Sequence, residues 1–256
     1  NATLGAKTFA TTLLSKISNA KIALVTFSGN DGDEETCERV WVEDDSFLGG
    51  HLERQCSVTD PNNDATIVRG FENKNLNSIN FGSANGGTNL GEGLNKAIDL
   101  FNNQDIPNDA FKYVVVLGDG EPTFYTDSDG KTAGPGSEMT TETKKYATDK
   151  ASALKTSGVE IFSIGYSVAV NSAAETVLKN VASTEKDTDK INHYVSSDPA
   201  AVANAFTNIA ISISTDFAGK NATLNDGIGS QFTLVSGSNN IVVGNITEEG
   251  FTSDPF

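Results

Sequence analysis

The chain has 256 residues, and its 34 acidic and 18 basic side chains give a formal net charge of −16. Such an acidic surface repels nucleic acid and anionic membranes and favours a cation as a partner. No stretch reaches the roughly 18 consecutive apolar residues of a membrane span. No signal peptide, lipidation motif or wall-sorting signal is recognisable, which leaves a mature or excised piece of a longer protein, or a cytosolic protein.

The first part of the chain predicts a helix, a strand and then an insertion. Apolar residues from Ala6 to Ile17 follow the i, i+3, i+4, i+7 spacing of an amphipathic helix. The segment "KIALVTF" (Lys21 to Phe27) is short and rich in β-formers, which predicts a strand. From about residue 29 to residue 75 the periodicity is lost among acids, glycines and asparagines. We expect an inserted β-arm there, with short strands at "RVWV" and "ATIVR".

The two cysteines of the chain, Cys37 and Cys56, both lie in this polar insertion. A disulfide between them would stabilise the fold by about 2–4 kcal/mol and would imply an oxidising compartment. Two free thiols, or a metal pair whose other ligands lie elsewhere, are the alternatives. We expect the disulfide in an acidic chain that is otherwise free of cysteine.

After residue 75 strands and helices alternate. The pattern predicts, in order, an edge strand at "NLNSINF", a helix from Leu90 to Phe101, a strand at "YVVVL", a polar loop, a helix with Tyr146, Ala147, Ala151 and Leu154 inward, a strand at "VEIFSIGY", a helix capped by Ser172 with Glu175, a strand at "INHYV" and a helix started by Asp198 and Pro199. Uninterrupted apolar runs such as "YVVVL" are typical of strands buried on both faces. The order predicts an α/β fold with a doubly wound, mostly parallel sheet.

The character of the chain changes near residues 216–220. Beyond this point "QFTLV" and "NIVVGNI", separated by glycine and asparagine, predict antiparallel strands. We therefore expect two domains, an α/β domain over residues 1–216 with its insertion at about 29–75, and part of a β-rich stalk domain over residues 217–256.

Two oxygen-bearing side chains are predicted at one edge of the sheet. Asp119 follows the strand "YVVVL", between Gly118 and Gly120, and ligands of open α/β sheets bind beyond the carboxyl ends of the strands. Thr88 lies in the glycine loop "GGTNL" that leads into a helix. Carboxylate and hydroxyl oxygens suit hard cations such as Mg²⁺. Taken singly, Asp119 is better explained as a turn residue or cap, and Thr88 as a helix N-cap.

Taken together, the segments "KIALVTF", "GGTNLGEGL", "YVVVLGDGEPT" and "VEIFSIGY" resemble a von Willebrand factor A domain over about residues 1–215. The "DGEPT" loop, followed by a long polar loop and a helix, is most similar to the A domains of Gram-positive pilus-tip and surface adhesins. The resemblance implies a metal-ion-dependent adhesion site, with Thr88 and Asp119 as the metal ligands of the second and third loops. It implies Mg²⁺, with Mn²⁺ and Ca²⁺ as alternatives, and an open position that a carboxylate of the partner fills.

The family's first strand and its D-x-S-x-S loop are missing from this sequence. In a doubly wound sheet the first strand is central, and without it two rows of backbone groups lack partners. The segment "LVSGS" (Leu234 to Ser238) has the two serines but no acid and no following helix, so we expect a hairpin turn there. We expect a preceding segment of the same polypeptide to supply the strand and the loop.

These features predict a fragment of an extracellular adhesin, at the bacterial cell surface or pilus tip, that binds a host protein or glycan through Mg²⁺. The alternative is a structural pilus or surface component with a vestigial metal site. No Ser–His–acid, Cys–His or phosphate-loop arrangement is recognisable, so we expect no enzyme.

Overall fold

The computed structural model describes residues 2–29, 37–42, 51–56, 64–81, 86–103, 105–185, 188–220, 244–247 and 250–253. Of residues 37–42, 51–56, 244–247 and 250–253 it describes the backbone. The chain divides into two units, residues 1–220 and residues 221–256. The predicted metal residues belong to the first unit, whereas the segment "LVSGS" lies outside the described residues.

The first unit alternates helices and strands as the sequence predicts. Its helices are α1 (Ala2–Lys16), α2 (Leu90–Asn103), α3 (Thr141–Thr156), α4 (Ala173–Val181) and α5 (Pro199–Lys220). Its strands are β1 (Ile22–Phe27), β2 (Cys37–Val42), β3 (His51–Cys56), β4 (Ala65–Glu72), β5 (Lys112–Gly118), β6 (Tyr125–Thr126), β7 (Thr132–Ala133), β8 (Val159–Tyr166) and β9 (His193–Ser196). Two predicted caps are confirmed, because Ser172 Oγ accepts the Glu175 N–H and Asp198 Oδ1 accepts the Ala200 N–H.

The predicted doubly wound fold is confirmed by the way the helices cover the strands. Strands β5, β8 and β9 form a parallel sheet in that order. Side chains of β8 alternate, with Ile161 in an apolar cluster with α2, α3 and α4, and Phe162 and Ile164 in a second cluster with α1 and α5. One helical layer therefore lies on each face of the sheet.

The main sheet is interrupted between β1 and β5. Strand β1 pairs antiparallel with β4, and within the described ranges these two strands form a sheet separate from β5-β8-β9. Both β1 and β5 contribute side chains to the same two apolar clusters. In the run Tyr113–Leu117, Val116 alone is classed as buried, whereas six of the eight residues of β8 are. The side chains of "YVVVL" pack in the apolar clusters on both faces, as predicted, but most are only partly buried, because within the described ranges β5 pairs with β8 alone.

The inserted arm differs from the prediction in which strands it uses. Its hairpin β2–β3 joins β7 and β6 to form a four-stranded sheet in the order β2-β3-β7-β6, here called the arm sheet. The segment "ATIVR" is not part of it, since it forms β4 of the main sheet. The polar loop after Asp119 instead supplies the last two strands of the arm sheet.

The predicted edge strand "NLNSINF" is wrong, because residues 73–81 form bends and turns. Arg69 donates hydrogen bonds to the carbonyls of Lys74 and Asn75, and Asn73 donates to those of Ser18 and Ala20. Side chains therefore satisfy these backbone carbonyls instead of a β-ladder.

The second unit contains a hairpin of β10 (Gly244–Thr247) and β11 (Gly250–Ser253), which pair antiparallel. Residues 244–246, the end of the predicted strand "NIVVGNI", lie in β10, whereas the rest of that segment and "QFTLV" lie outside the described residues, so this prediction stays untested. Within the described ranges, every helix is too short or too polar to span a bilayer.

The backbone register makes the predicted disulfide testable. Cys37 lies directly opposite Cys56 in the β2–β3 ladder. Paired residues of antiparallel strands have Cα atoms about 4.5–5.5 Å apart, within the range that a disulfide spans. The side chains of both cysteines lie outside the described residues, so the disulfide stays a prediction.

We expect alkylation without reductant to leave both cysteines unmodified, and the double serine variant to lose about 2–4 kcal/mol in the free energy of urea unfolding. Full alkylation of unreduced protein would contradict the disulfide.

Candidate functional site

The site lies where three loops meet at the carboxyl end of the strands. Residues Ser28 and Gly29 follow β1, and Gly29 exchanges two backbone hydrogen bonds with Gly87, at 2.5 and 3.0 Å. The Thr88 carbonyl in turn accepts the N–H groups of Thr123 and Phe124, at 2.8 and 3.0 Å. The Thr123 hydroxyl also accepts the Thr88 N–H at 2.9 Å. The loop that carries Thr88 is therefore bonded through its backbone both to the end of β1 and to the loop that carries Asp119.

The Phe124 side chain fills the interior of this junction. Its ring is fully buried and lies against Gly29 and Gly87. A Cβ on Gly87 would lie 2.5 Å from both the Phe124 ring and the Thr123 hydroxyl. Glycine is required at this point because the ring takes the space that any side chain would need.

The predicted ligands Thr88 and Asp119 lie on two of the loops that meet here. Asp119 directly follows β5 and is exposed, while Thr88 is partly buried. Within the described ranges, neither the Thr88 hydroxyl nor the Asp119 carboxylate makes a hydrogen bond or ion pair, in contrast to the backbone of the same loops. Sequence reasoning placed both residues at the sheet edge but missed Thr123 and Phe124, which hold the two loops together. The glycines at 29 and 87 were the available signal of a close approach.

A buried polar network lies directly behind Thr88. The Asn89 side chain is completely buried, and its oxygen accepts the Glu92 N–H at 3.0 Å, so it caps α2. Its amide nitrogen donates to Asp64 Oδ2 at 2.9 Å and to the Thr126 hydroxyl at 3.3 Å. The Thr132 hydroxyl donates to the same Asp64 oxygen at 2.6 Å. Sequence reasoning assigned no role to these residues, because Asp64 lies 25 residues before Asn89 and 68 residues before Thr132 along the chain.

Glu92 extends the network toward α3. Its Oε2 accepts the Thr126 hydroxyl at 3.0 Å and the Tyr146 hydroxyl at 2.8 Å, and its Oε1 lies 3.5 Å from Lys96 Nζ. Burial raises the pKa of Tyr146, and the neighbouring Glu92 charge acts in the same direction. Tyr146 is therefore a neutral donor at physiological pH.

The donor set at the junction suits a hard cation but is incomplete. A hydroxyl and a carboxylate are among the oxygen ligands that Mg²⁺ prefers. In the part of the chain that the structure describes, no group of three or more His, Cys, Asp or Glu side chains could hold a metal. Thr88 and Asp119 could supply two ligands, and further ones would have to come from other groups.

A second polar cluster involves His193, which the sequence presents as isolated. His193 Nδ1 lies 2.7 Å from the Ser163 hydroxyl, and Nε2 lies 3.6 Å from Glu175 Oε1. Because the Ser163 hydroxyl donates to the Leu178 carbonyl, His193 Nδ1–H is the donor to Ser163. Burial lowers the pKa of His193, against the opposing effect of Glu175. These side chains are almost completely buried and connect β8, β9 and α4.

The close packing at this junction predicts that one methyl group added at Gly87 lowers the stability of the protein. Gly87→Ala places a methyl group against Phe124, and we expect a loss of about 1–3 kcal/mol in the free energy of unfolding. Gly120→Ala is the matched control, because a Cβ there meets nothing within 4 Å. Urea denaturation measures both variants. Equal stability of the two would show that Phe124 does not close on Gly87.

Comparisons with known proteins agree with this architecture. The pilus adhesin SpaC from Lactobacillus rhamnosus GG matches with a TM-score of 0.54 and 16% identity, over 84% of this chain and 28% of that one. The PilB minor pilin from Streptococcus sanguinis matches with a TM-score of 0.58 and 14% identity, over 86% of this chain and 55% of that one. These structures share the fold, and this chain spans at most about half of their length. A search of curated proteins gave no significant match.

A family model described as the von Willebrand factor type A domain matches residues 61–208, more than half of the chain. The matched range includes β4, the Thr88 loop, the Asp119 loop and the parallel sheet. The chain belongs to the von Willebrand factor type A domain family.

Proposed function

We propose that this protein is a bacterial surface adhesin of the pilus-tip class, which binds a host extracellular protein or glycan through a Mg²⁺-dependent site at Thr88 and Asp119. The proposal is for binding and not for catalysis, and it places the protein outside the cell. The family and the likeness to a pilus adhesin and a minor pilin support it.

One observation carries the proposal: two oxygen groups without hydrogen-bond partners in the described chain lie on loops whose backbones are fixed to each other. The Thr88 carbonyl accepts two N–H groups from the loop that Asp119 begins. Preorganised loops spare a metal site the ordering entropy of its ligands. The side chains remain available while the backbone is satisfied, which is the division of roles that a binding loop needs.

Mg²⁺ is the cation that we propose for this site, with Mn²⁺ and Ca²⁺ as alternatives. Thr88 would contribute a neutral hydroxyl and Asp119 a charged carboxylate. When bound, the metal supplies an open coordination position that a carboxylate of the partner can fill. The net charge of −16 makes a cation necessary for this mode, because an acidic partner would otherwise be repelled.

A companion segment of the same polypeptide would complete both the sheet and the site. Within the described ranges, no strand pairs with β1 or β5 in the gap between them, and the first helix, α1, leads directly into β1. A strand that precedes α1 would lie parallel to β1 by a right-handed crossover, on the side of β1 away from β4, where no described strand pairs. The loop from that strand to α1 would then reach the edge that carries Thr88 and Asp119. It could supply the remaining ligands.

A structural pilus or surface component with a vestigial metal site is the alternative. The incomplete donor set among the described residues favours it. The two functions differ in their need for the ion, because only the adhesin loses partner binding when the metal is removed.

Asp119→Ala tests the site. We expect loss of detectable Mg²⁺ binding in isothermal titration calorimetry with little change in stability, because the carboxylate is exposed and makes no hydrogen bond or ion pair with the described residues. Thr88→Ala should weaken binding less, since it removes one neutral ligand. Asp129→Ala is the control, because it removes an exposed carboxylate from the same polar loop.

Adhesion is measured with the same variants on surfaces coated with extracellular-matrix proteins and glycans, with and without a chelator. The adhesin proposal requires that chelation and Asp119→Ala abolish the same binding. Binding that persists through both would favour the structural alternative, and unchanged Mg²⁺ affinity in Asp119→Ala would remove Asp119 from the site.

The companion segment is tested by comparing residues 1–256 with the polypeptide that its natural gene encodes. We expect the longer polypeptide to bind Mg²⁺ more tightly and to protect the amides of β1 and β5 from hydrogen exchange, since a new strand would pair with both edges. Equal affinity and equal protection would show that no preceding strand enters the gap.

A further inference from the structure

We propose that Asp64 and Thr132 are positioning residues that couple the arm sheet to the Thr88 loop, so that Mg²⁺ affinity depends on the arm. The inference rests on the proposed metal site for its functional consequence. The coupling itself is a property of the described residues.

The first step is the neck of the arm. The inserted segment leaves the main sheet after Gly29 and returns at Asp64, and the Ser28 N–H donates to the Asp64 carbonyl at 2.8 Å. The Ser28 carbonyl accepts the Asn89 N–H at 3.0 Å. Both ends of the neck are therefore bonded to each other and to the residue that follows Thr88.

The second step is the side-chain connection. Thr126 and Thr132 belong to β6 and β7, which are strands of the arm sheet. Thr132 reaches Asn89 through Asp64, while Thr126 contacts Asn89 directly. Asp64, Asn89 and Thr132 are 1%, 0% and 2% exposed. Strand β7 thus meets the Thr88 loop through completely buried polar groups, and β6 meets it through the partly buried Thr126.

The third step is energetic. A buried carboxylate is tolerated when donors satisfy it, and the loss of one donor is costly. Two neutral donors, Asn89 and Thr132, converge on one Asp64 oxygen. Asn89 also caps α2, so a single orientation of its side chain satisfies both the Glu92 N–H and the Asp64 carboxylate. If Thr132 moved away, Asp64 and Asn89 would have to rearrange, and Thr88 is the next residue along the chain.

The consequence is reciprocal. Coupling between two sites changes each affinity by the same factor, whichever is occupied first. A partner that contacts the arm sheet would tighten Mg²⁺ binding if it favours the arrangement seen here. Occupancy of the metal site would in turn order the arm sheet.

Thr132→Val tests the coupling, because it removes the hydroxyl and keeps the volume, and Thr132→Ser restores the hydroxyl. The first measurement is NMR hydrogen exchange of the Thr123 and Phe124 amides, which bond to the Thr88 carbonyl, in metal-free protein. The second is Mg²⁺ affinity by calorimetry in the natural polypeptide. Ser163→Ala is the control, because it removes a buried hydroxyl from the separate His193 cluster.

We expect Thr132→Val to speed exchange of these two amides by about tenfold relative to the α5 amides, and to weaken Mg²⁺ binding by a similar factor, as for loss of one hydrogen bond to a buried carboxylate. Thr132→Ser should restore both, and Ser163→Ala should change neither. If Thr132→Val fails to fold, Thr126→Val replaces it, since Thr126 bonds to Asn89 directly.

The outcomes separate this inference from the proposed function. Unchanged exchange in Thr132→Val would overturn the coupling, and so would faster exchange with unchanged Mg²⁺ affinity. If the wild type binds no Mg²⁺ but exchange still responds to Thr132, the proposed metal site fails while the connection from the arm to the loop is supported.

Discussion

The candidate site depends on one backbone carbonyl. The Thr88 carbonyl accepts two N–H groups from the loop after β5, and the neighbouring Gly87 pairs with the end of β1. Three segments that are far apart in sequence are thus held together without the use of a functional side chain. The Phe124 ring fills the space that the absent glycine side chains leave and excludes water from these hydrogen bonds, which strengthens them. This junction fixes the backbone of the Thr88 loop against the loop that follows Asp119.

At the junction the backbone groups are paired, whereas between β1 and β5 they have no strand partner in the described chain. Strand β5 carries a sequence suited to the centre of a sheet but is only partly buried. Unpaired apolar edges promote association with other strands. The helices on both faces still hold the two halves through shared apolar clusters, to which α1 and α5 contribute on one side. The fold therefore keeps the shape of a doubly wound sheet although its ladder is discontinuous.

The sequence predicted the parts of the fold that local pattern determines. Strand β8 and the caps at Ser172 and Asp198 follow from apolar runs and from side chains that satisfy nearby N–H groups. Prediction from the sequence was wrong where the pairing of a strand depends on residues far away in the chain. The alternation in "NLNSINF" arises because Leu76 packs on the core from a turn that Arg69 supports, which a pattern of period two cannot distinguish from a strand. The use of loop residues after Asp119 in the arm sheet has no local signal.

The same limit explains why the candidate site was only half visible in the sequence. Thr88 and Asp119 were predicted because Thr88 precedes a recognisable helix and Asp119 follows a recognisable strand, in an order that resembles a known family, whereas Asp64 and Thr132 are defined by the fold alone. Desolvating a carboxylate such as Asp64 opposes folding unless the donors around it are fixed. An apolar pair of similar volume could join the arm to the main sheet without this desolvation cost. Directional hydrogen bonds, unlike apolar contacts, specify a single relative position of the arm and the Thr88 loop. The proposed metal site beside them requires its ligands to be held in such a fixed position.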